Sequence, residues 1–382
     1  MIAITKIMIL RTLLAVLQSK LNTGKVIIIL GPRQSGKTTL LREVTKNVSP
    51  CLWLNCDDPI VRASLEDANL TQLKQLIGSA KTVVIDEAQR VKNVGLTVKL
   101  IVDEIKNIQI LVSGSSALEL ASEVNEPLTG RKWEYQLYPI SWDELVVTSG
   151  LLEAQRQLEQ RIIFGMYPEV LNNLGHEREV LTSLAGSYLY KDLLSYKGIR
   201  KPSLLDKLLK ALALQLGQEV SFNELANLLQ VDKNTVSEYI HLLEQAFIIM
   251  RLQPLSRNLR NEISSSRKIY FWDTGIRNAI LGNYALLTQR NDTGALWENF
   301  LVAERIKYMH YAGNHYNRYF WRTHAQQEID YIEERDGMLN AYEFKWNPKA
   351  KARMPKTFLN AYPNSNQEII SQQNFDSFLR QL

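Results

Sequence analysis

With 382 residues the chain exceeds one ordinary domain, and two or three domains, each burying its own core, are expected. Forty-five Lys and Arg against 40 Asp and Glu leave a net charge of +5; that is too small to announce a polyanionic partner by itself, and the composition is that of a soluble globular protein. The two cysteines, Cys51 and Cys56, stand at an odd offset in an expected strand, on opposite faces, which argues against a disulfide and a metal clip and makes a reducing, cytoplasmic setting the default.

Met1 to Leu17 is apolar, yet it has no small-residue cleavage site and Arg11 interrupts its apolar core, so an amphipathic helix is expected there and not a signal peptide. No apolar run approaches the roughly 20 residues of a membrane span. Val26 to Leu30 is β-branched and apolar without alternation, the pattern of a buried parallel strand, and a helix-forming stretch runs from Thr38 to Lys46. Between them stands Gly31-Pro32-Arg33-Gln34-Ser35-Gly36-Lys37-Thr38-Thr39, the pattern of a phosphate-binding P-loop. Its glycines let successive backbone N–H groups converge on an anion, and the following helix points its positive end the same way. Lys37 is expected to reach the β- and γ-phosphates of ATP, and the Thr38 hydroxyl to coordinate Mg²⁺.

A strand over Cys51 to Asn55 and a helix over Leu65 to Leu76 come next. The buried strand Thr82 to Ile85 ends in Asp86-Glu87-Ala88-Gln89, which places two carboxylates at the C-terminal edge of a parallel sheet, where α/β proteins bind their ligands. Asp86 is expected to hold Mg²⁺ and Glu87 to orient and deprotonate the attacking water; simple helix capping is the plainer alternative. A further strand, Ile108 to Ser113, runs into Ser113-Gly114-Ser115-Ser116, where Ser115 is the candidate sensor of the γ-phosphate or else a helix cap. Leu128-Thr129-Gly130-Arg131 then precedes the alternating strand Trp133 to Tyr138. Arg131 lies beyond the γ-phosphate of its own subunit, so it is either an arginine finger for a neighbour's site or an ordinary surface arginine.

Together with Tyr-Pro-Ile-Ser-Trp-Asp-Glu-Leu from Tyr138 to Leu145, these motifs resemble the AAA-type ATPases of bacteria and archaea in which the ATPase module is fused to a C-terminal domain of unknown function. The resemblance covers essentially the whole chain. Gly165-Met166-Tyr167-Pro168-Glu169 looks like the Gly-Gly-Tyr-Pro element that follows the ATPase core in that family. The resemblance implies oligomerisation and a functional Arg131, and it supplies no substrate.

Leu151 to Ala213 carries apolar positions at helical spacing and reads as a helical lid and connector. Ser221 opens a capped helix, Gln230-Val231-Asp232 makes a short turn, and Lys233 to Ala246 forms a second helix. Strands over Phe247 to Leu252 and Lys268 to Trp272 complete the pattern of a winged helix-turn-helix. The second helix exposes Asp232, Lys233, Asn234, Glu238 and Glu244, a weakly basic face that suits a protein contact as well as a DNA groove. Arg251, Arg257, Arg260, Arg267 and Lys268 give the wing the better case for phosphate contacts.

Near the C-terminus a helix from Trp297 to Tyr308 carries Glu298 and a strand spans Tyr319 to Thr323. After these come Glu328-Ile329-Asp330-Tyr331-Ile332, a charged turn at Glu334 to Gly337, and Leu339 to Trp346 with Glu343-Phe344-Lys345. Alternation sets Glu343 and Lys345 on one face, and two carboxylates with a lysine can bind Mg²⁺ and activate water for phosphodiester hydrolysis. This stretch resembles the PD-(D/E)XK nuclease core, which implies Glu298, Asp330 and Glu343 as metal ligands and Lys345 as catalytic lysine, although Glu328-Ile329 replaces the motif's proline. A charged hairpin on a solvated sheet is the alternative. Lys349, Lys351, Arg353 and Lys356 continue a basic stretch suited to a phosphate backbone.

The expected architecture is α/β: an AAA+ P-loop domain over residues 1–150, a helical connector over 151–215, a winged helix-turn-helix over 216–285 and a nuclease-like domain over 286–382. The expected function is a cytoplasmic, oligomeric, Mg²⁺-dependent ATPase acting on DNA. A nucleotide-dependent switch that binds a protein partner, and a nuclease gated by ATP, are the rival readings.

Overall fold

The computed structural model describes residues 9–114, 127–188, 202–255, 267–323, 325–349 and 353–381. Helix α1 (Leu13–Lys20) leads into β1 (Val26–Leu30), all five of whose residues are buried, as an unalternating apolar run requires of a strand covered on both faces. There follow α2 (Lys37–Thr45), β2 (Cys51–Asn55), α3 (Pro59–Leu65), α4 (Leu70–Ile77), β3 (Thr82–Asp86), α5 (Val94–Glu104), β4 (Gln109–Gly114) and β5 (Lys132–Gln136). The five strands are parallel, in the order β2-β3-β4-β1-β5. Chain order reverses beside β1, which opens the ligand crevice at the C-terminal ends of β1, β3 and β4.

Where one helix was expected over Leu65 to Leu76, α3 ends at Leu65 and α4 begins only at Leu70. Asp67 turns the chain with φ 50°, and Asn69 and Gln72 close a capping box that starts α4 anew. Two reciprocal side-chain bonds to the end N–H groups outweigh continuation of the preceding helix.

A helical connector comes next: α6 (Trp142–Ser149), α7 (Leu151–Phe164), α8 (Pro168–Leu171), α9 (Glu177–Ser183) and α10 (Pro202–Leu214). Beyond it lie β6 (Glu219–Val220), α11 (Phe222–Leu229), α12 (Lys233–Gln245), β7 (Ile249–Pro254), β8 (Arg267–Phe271) and α13 (Thr274–Leu281). The chain closes with α14 (Thr293–Tyr311), β9 (Asn317–Arg322), β10 (Glu328–Arg335), β11 (Met338–Phe344), α15 (Lys356–Ala361), β12 (Asn366–Ile370) and α16 (Phe375–Arg380). Ser221 and Asp232 cap α11 and α12 by accepting from Glu224 N and Thr235 N. Strands β10 and β11 turn at Asp336-Gly337, with φ 50° and 79°, the left-handed pair that matches the twist of a tight hairpin.

A second sheet has the order β12-β11-β10-β9-β7-β8-β6. Parallel pairing of β7 with β9 through Gln253 and Pro254 carries it across residues 285 and 286, where a domain boundary was expected. The Tyr138 to Leu145 stretch fastens the two sheets together. Trp142, 1% exposed, donates its backbone N–H to Glu304 at 2.6 Å and its indole N–H to Asp376 at 2.8 Å, and packs on Phe300 and Phe375. Arg380 closes the contact on Asp143 at 2.7 Å. Among the described residues no helix is long and apolar enough to cross a membrane.

Candidate nucleotide site and C-terminal carboxylate cluster

The loop after β1 is shaped by its glycines. A Cβ on Gly31 would lie 2.1 Å from the Leu137 carbonyl oxygen of the neighbouring chain segment, and Gly36 opens α2 with φ 96°. Lys37 is 4% exposed, and its ammonium donates to the carbonyls of Gly31 at 2.9 Å and Pro32 at 3.0 Å, so it lies inside the loop. Thr38 Oγ1 donates to Asp86 Oδ2 at 2.8 Å, which joins the two residues expected at Mg²⁺ across 48 positions of sequence. Their hydroxyl and carboxylate are hard oxygen donors of the kind Mg²⁺ takes.

Ser113, at the end of β4, donates to the other oxygen of Asp86 and accepts the Glu87 N–H at 3.1 Å. Ser115, the expected sensor, lies outside the described residues; the hydroxyl seen at this sheet edge is Ser113, two positions earlier. Glu87 takes φ 56°, a left-handed conformation that costs a non-glycine residue about 1 kcal/mol or more and that clusters at functional sites. Gln89 Nε2 donates to Glu87 Oε2 at 2.7 Å, a steering contact with no signal in the sequence pattern.

A cleft of about 530 Å³ opens over this group, with Gln34, Lys37, Thr38, Thr39 and Glu87 on one wall and Pro168, Glu169, Asn172 and Asn173 on the other. A second cavity of about 430 Å³ adjoins it through Gly36, Thr39, Pro168 and Asn172, and is lined by Ile9, Leu14, Leu40 and Ile140. The Gly165 to Glu169 motif therefore forms the roof. Gly165 is required there, because a Cβ would fall 2.0 Å from Asp273 Oδ1. Asp273 accepts the Met166 N–H at 2.7 Å and caps α13 through Ile276 N at 3.0 Å. Burial pushes its carboxyl above the usual range, against the opposing charge of Lys307.

Arg11, expected on an amphipathic helix, is instead a buried junction before α1. Its guanidinium donates to Ser35 O of the P-loop at 2.6 Å, to Tyr138 O at 2.7 Å, to Glu144 Oε1 at 3.0 Å and to the Tyr311 hydroxyl of α14 at 3.3 Å. Sequence reasoning marked this arginine only as an interruption. Arg131 is far from its own P-loop: its carbonyl accepts the N–H of Val26, at the start of β1, whereas the loop leaves the other end of that strand, roughly 16 Å away. Its side chain pairs with Asp103 at 2.8 Å.

In the C-terminal sheet, Glu298 and Asp330 come together, with Glu328 beside them, around a residue assigned to another role. Lys268, expected at the surface of the wing, is fully buried; its ammonium bonds Glu298 Oε1 at 2.8 Å and Glu328 Oε1, and lies 3.8 Å from Asp330 Oδ1. Tyr270 donates to Glu298 at 2.6 Å, the Phe344 N–H donates to Asp330 Oδ2 at 2.8 Å, and Lys345 donates to Glu343 Oε1 at 2.6 Å. Burial pushes Glu298 up to about 7, with Lys268 opposing, and raises Asp330 and Glu343 as well. Burial alone would lower Lys268, but the surrounding carboxylates reverse this and hold it charged. Among the described residues no group of three or more His, Cys, Asp or Glu is arranged to hold a metal ion. An ammonium lies between the carboxylates, so the donor set does not fit a divalent ion. Elsewhere in the wing Arg251 pairs with Glu244 at 2.6 Å; Arg257 and Arg260 lie outside the described residues, as does Lys351 of the later basic stretch.

Residues 23–146 match an AAA domain, residues 155–286 a domain of unknown function (DUF8612) and residues 293–379 another (DUF4143). The chain is 30% identical over 338 residues to the uncharacterized protein Rv2008c of Mycobacterium tuberculosis, covering 86% of this chain and 72% of the relative. The uncharacterized protein Mb2031c of Mycobacterium bovis matches with the same figures. Among solved structures, the Walker-type ATPase PABY2304 of Pyrococcus abyssi is 16% identical and covers 71% of this chain and 94% of its own, with a TM-score of 0.49. The chain belongs to the family of these mycobacterial proteins, and its N-terminal parallel sheet is that of an AAA-type P-loop ATPase domain.

Proposed function

We propose that the protein is a Mg²⁺-dependent ATP hydrolase whose nucleotide state is passed to a DNA-engaging C-terminal region. The observation that carries the hydrolase reading is the contact of Thr38 with Asp86, beside Lys37 and Glu87, in one roofed cleft. Thr38 and Asp86 would hold Mg²⁺, which when bound supplies charge neutralisation on the phosphates. Gly31 to Thr39 offers backbone N–H groups to the phosphates and Lys37 a positive charge. Glu87, its carboxylate steered by Gln89, orients the attacking water and accepts its proton. The apolar cavity beside Gly36 suits the purine ring. Arg131, exposed and far from its own loop, is the candidate to complete a neighbour's site in an oligomer.

The coupling reading rests on the roof and on Arg11. The roof is tied to Asp273 at the start of α13, and Arg11 joins Ser35 to Tyr311 of α14, so displacement of either side of the cleft is felt in these two helices. The helix-turn-helix α11–α12 followed by β7 and β8 supports a winged helix, and the order α14-β9-β10-β11-α15-β12 supports a nuclease-like fold. Exposed Lys349, Arg353 and Lys356 favour a phosphate backbone as ligand.

A protein-directed switch is the second reading. It is favoured by the burial of Lys268, the pairing of Arg251 with Glu244 and the exposure of Asp232 and Glu238 on α12. ATP hydrolysis with and without duplex, single-stranded and branched DNA separates the two, together with elution from heparin in a salt gradient. Stimulated turnover and retention well past physiological salt are expected for the DNA reading. An unchanged rate with early elution would establish the switch.

A further inference from the structure

We infer that Lys268 is the resident cation of the C-terminal carboxylate cluster: its ammonium holds the place among Glu298, Glu328 and Asp330 that a divalent ion would take, and the cluster is a lock between β8 and the hairpin sheet, not a hydrolytic metal centre. The four acids come from three elements, Glu298 from α14, Glu328 and Asp330 from β10 and Glu343 from β11. Lys268 enters from a fourth, β8, which pairs with β6 and β7 on the far side of β9. The lysine side chain thus crosses from the helix-turn-helix segment into the hairpin segment.

Part of the cluster's remaining hydrogen-bonding capacity is committed, whereas Glu343 Oε2 is buried with no hydrogen-bond partner among the described residues. Tyr270, two residues along the same strand and therefore on the same face, donates to the Glu298 oxygen that Lys268 also contacts. The Phe344 N–H takes one oxygen of Asp330, and Lys345 takes one oxygen of Glu343. The ammonium nitrogen lies 5.7 Å from the centre of the Phe320 ring, a cation–π contact that further suits a monovalent organic cation. Mg²⁺ demands near-ideal octahedral oxygen ligands and retains several waters, and an ammonium at hydrogen-bond distance from Glu298 and Glu328 and 3.8 Å from Asp330 denies it both space and charge. A lysine with no exposed surface also cannot contact a phosphate backbone, so one of the five expected wing cations serves the interior.

The test uses the full-length, nucleotide-free protein and Mn²⁺ as the probe, followed by electron paramagnetic resonance of the free ion. Wild type and Asp330→Asn are expected to bind Mn²⁺ indistinguishably up to millimolar concentration. A bound Mn²⁺ that is present in the wild type and lost in Asp330→Asn would overturn the inference. Lys268→Met is expected to lower the thermal midpoint, and adding Glu298→Gln to recover part of that loss, because carboxylates stranded without their cation are what destabilises the single variant. A Lys268→Met protein as stable as the wild type would equally overturn the lock. If that variant does not fold, the comparison of wild type with Asp330→Asn decides alone.

Discussion

Replacing Arg11 by methionine should destabilise the N-terminal domain by about 3–5 kcal/mol, the cost of leaving a buried carboxylate without its cation. Arg11 and Glu144 are 8% and 1% exposed, and their side chains meet at 3.0 Å. Glu144 would keep the N–H groups of Thr12 at 2.8 Å and Ser141 at 3.0 Å, which holds the loss towards the lower figure. The carbonyls of Ser35 and Tyr138 would each lose a charged donor, adding roughly 1 kcal/mol apiece at most. Urea unfolding at neutral pH, read as the shift of the first transition, measures the sum. Glu144→Gln on the Arg11→Met background should restore at least about 1 kcal/mol, since it removes the stranded charge while keeping the shape. The reasoning fails if Arg11→Met costs less than about 1 kcal/mol, or if the two substitutions add without relief. Because Arg11 bonds Ser35 O, ATP affinity should fall in the same variant.

Two buried groups should make stability depend on pH in opposite directions. Burial lowers His310 from 6.5 to about 4, so its native-state preference for the neutral form is fully present above pH 6.5 and is lost as pH falls towards 4. Glu298, raised from 4.5 to about 7, favours the native state below pH 4.5, and that contribution is lost as pH rises through 7. Relative to wild type, His310→Asn should therefore gain up to about 3 kcal/mol on acidification, and Glu298→Gln a similar amount on alkalinisation. Parallel stability curves for variant and wild type would contradict either assignment. Gly165→Ala, which drives a Cβ into Asp273, should cost about 1–3 kcal/mol and weaken ATP binding through the displaced roof; unchanged ATP affinity would separate the roof from the site. Gly31→Ala should abolish nucleotide binding in an equilibrium assay, because the loop cannot leave β1 past Leu137 with a side chain present, and retained binding would show that it can.

The ATPase sheet was legible because its signals are local. Val26 to Leu30 and Thr82 to Asp86 are apolar runs ended by chemistry-bearing residues, and the strand-loop-helix context fixes where each side chain goes. Residues that act across long separations left no such trace. Arg11 reads as a blemish in an apolar stretch until Ser35, Glu144 and Tyr311 surround it. Lys268 reads as one of five wing cations until the pairing of β7 with β9 brings α14 and β10 up against β8. Gly165 was noticed as part of a motif, but its cause, the carboxylate of Asp273 over a hundred positions later, is visible only in three dimensions. The start of α4 at Leu70, five residues later than expected, was readable in principle from Asn69 and Gln72, a capping box hidden inside a pattern of helical periodicity.

In the proposed ATP-hydrolysing site of Lys37, Thr38, Asp86 and Glu87, Glu87 handles the water. Steady-state ATP hydrolysis and equilibrium ATP binding, measured side by side on wild type and Glu87→Gln with Mg²⁺, test it most directly. Glu87→Gln should bind ATP as tightly as the wild type while its turnover falls by about 10²-fold or more. A variant that hydrolyses ATP at the wild-type rate, or a wild type that binds no ATP, would contradict it.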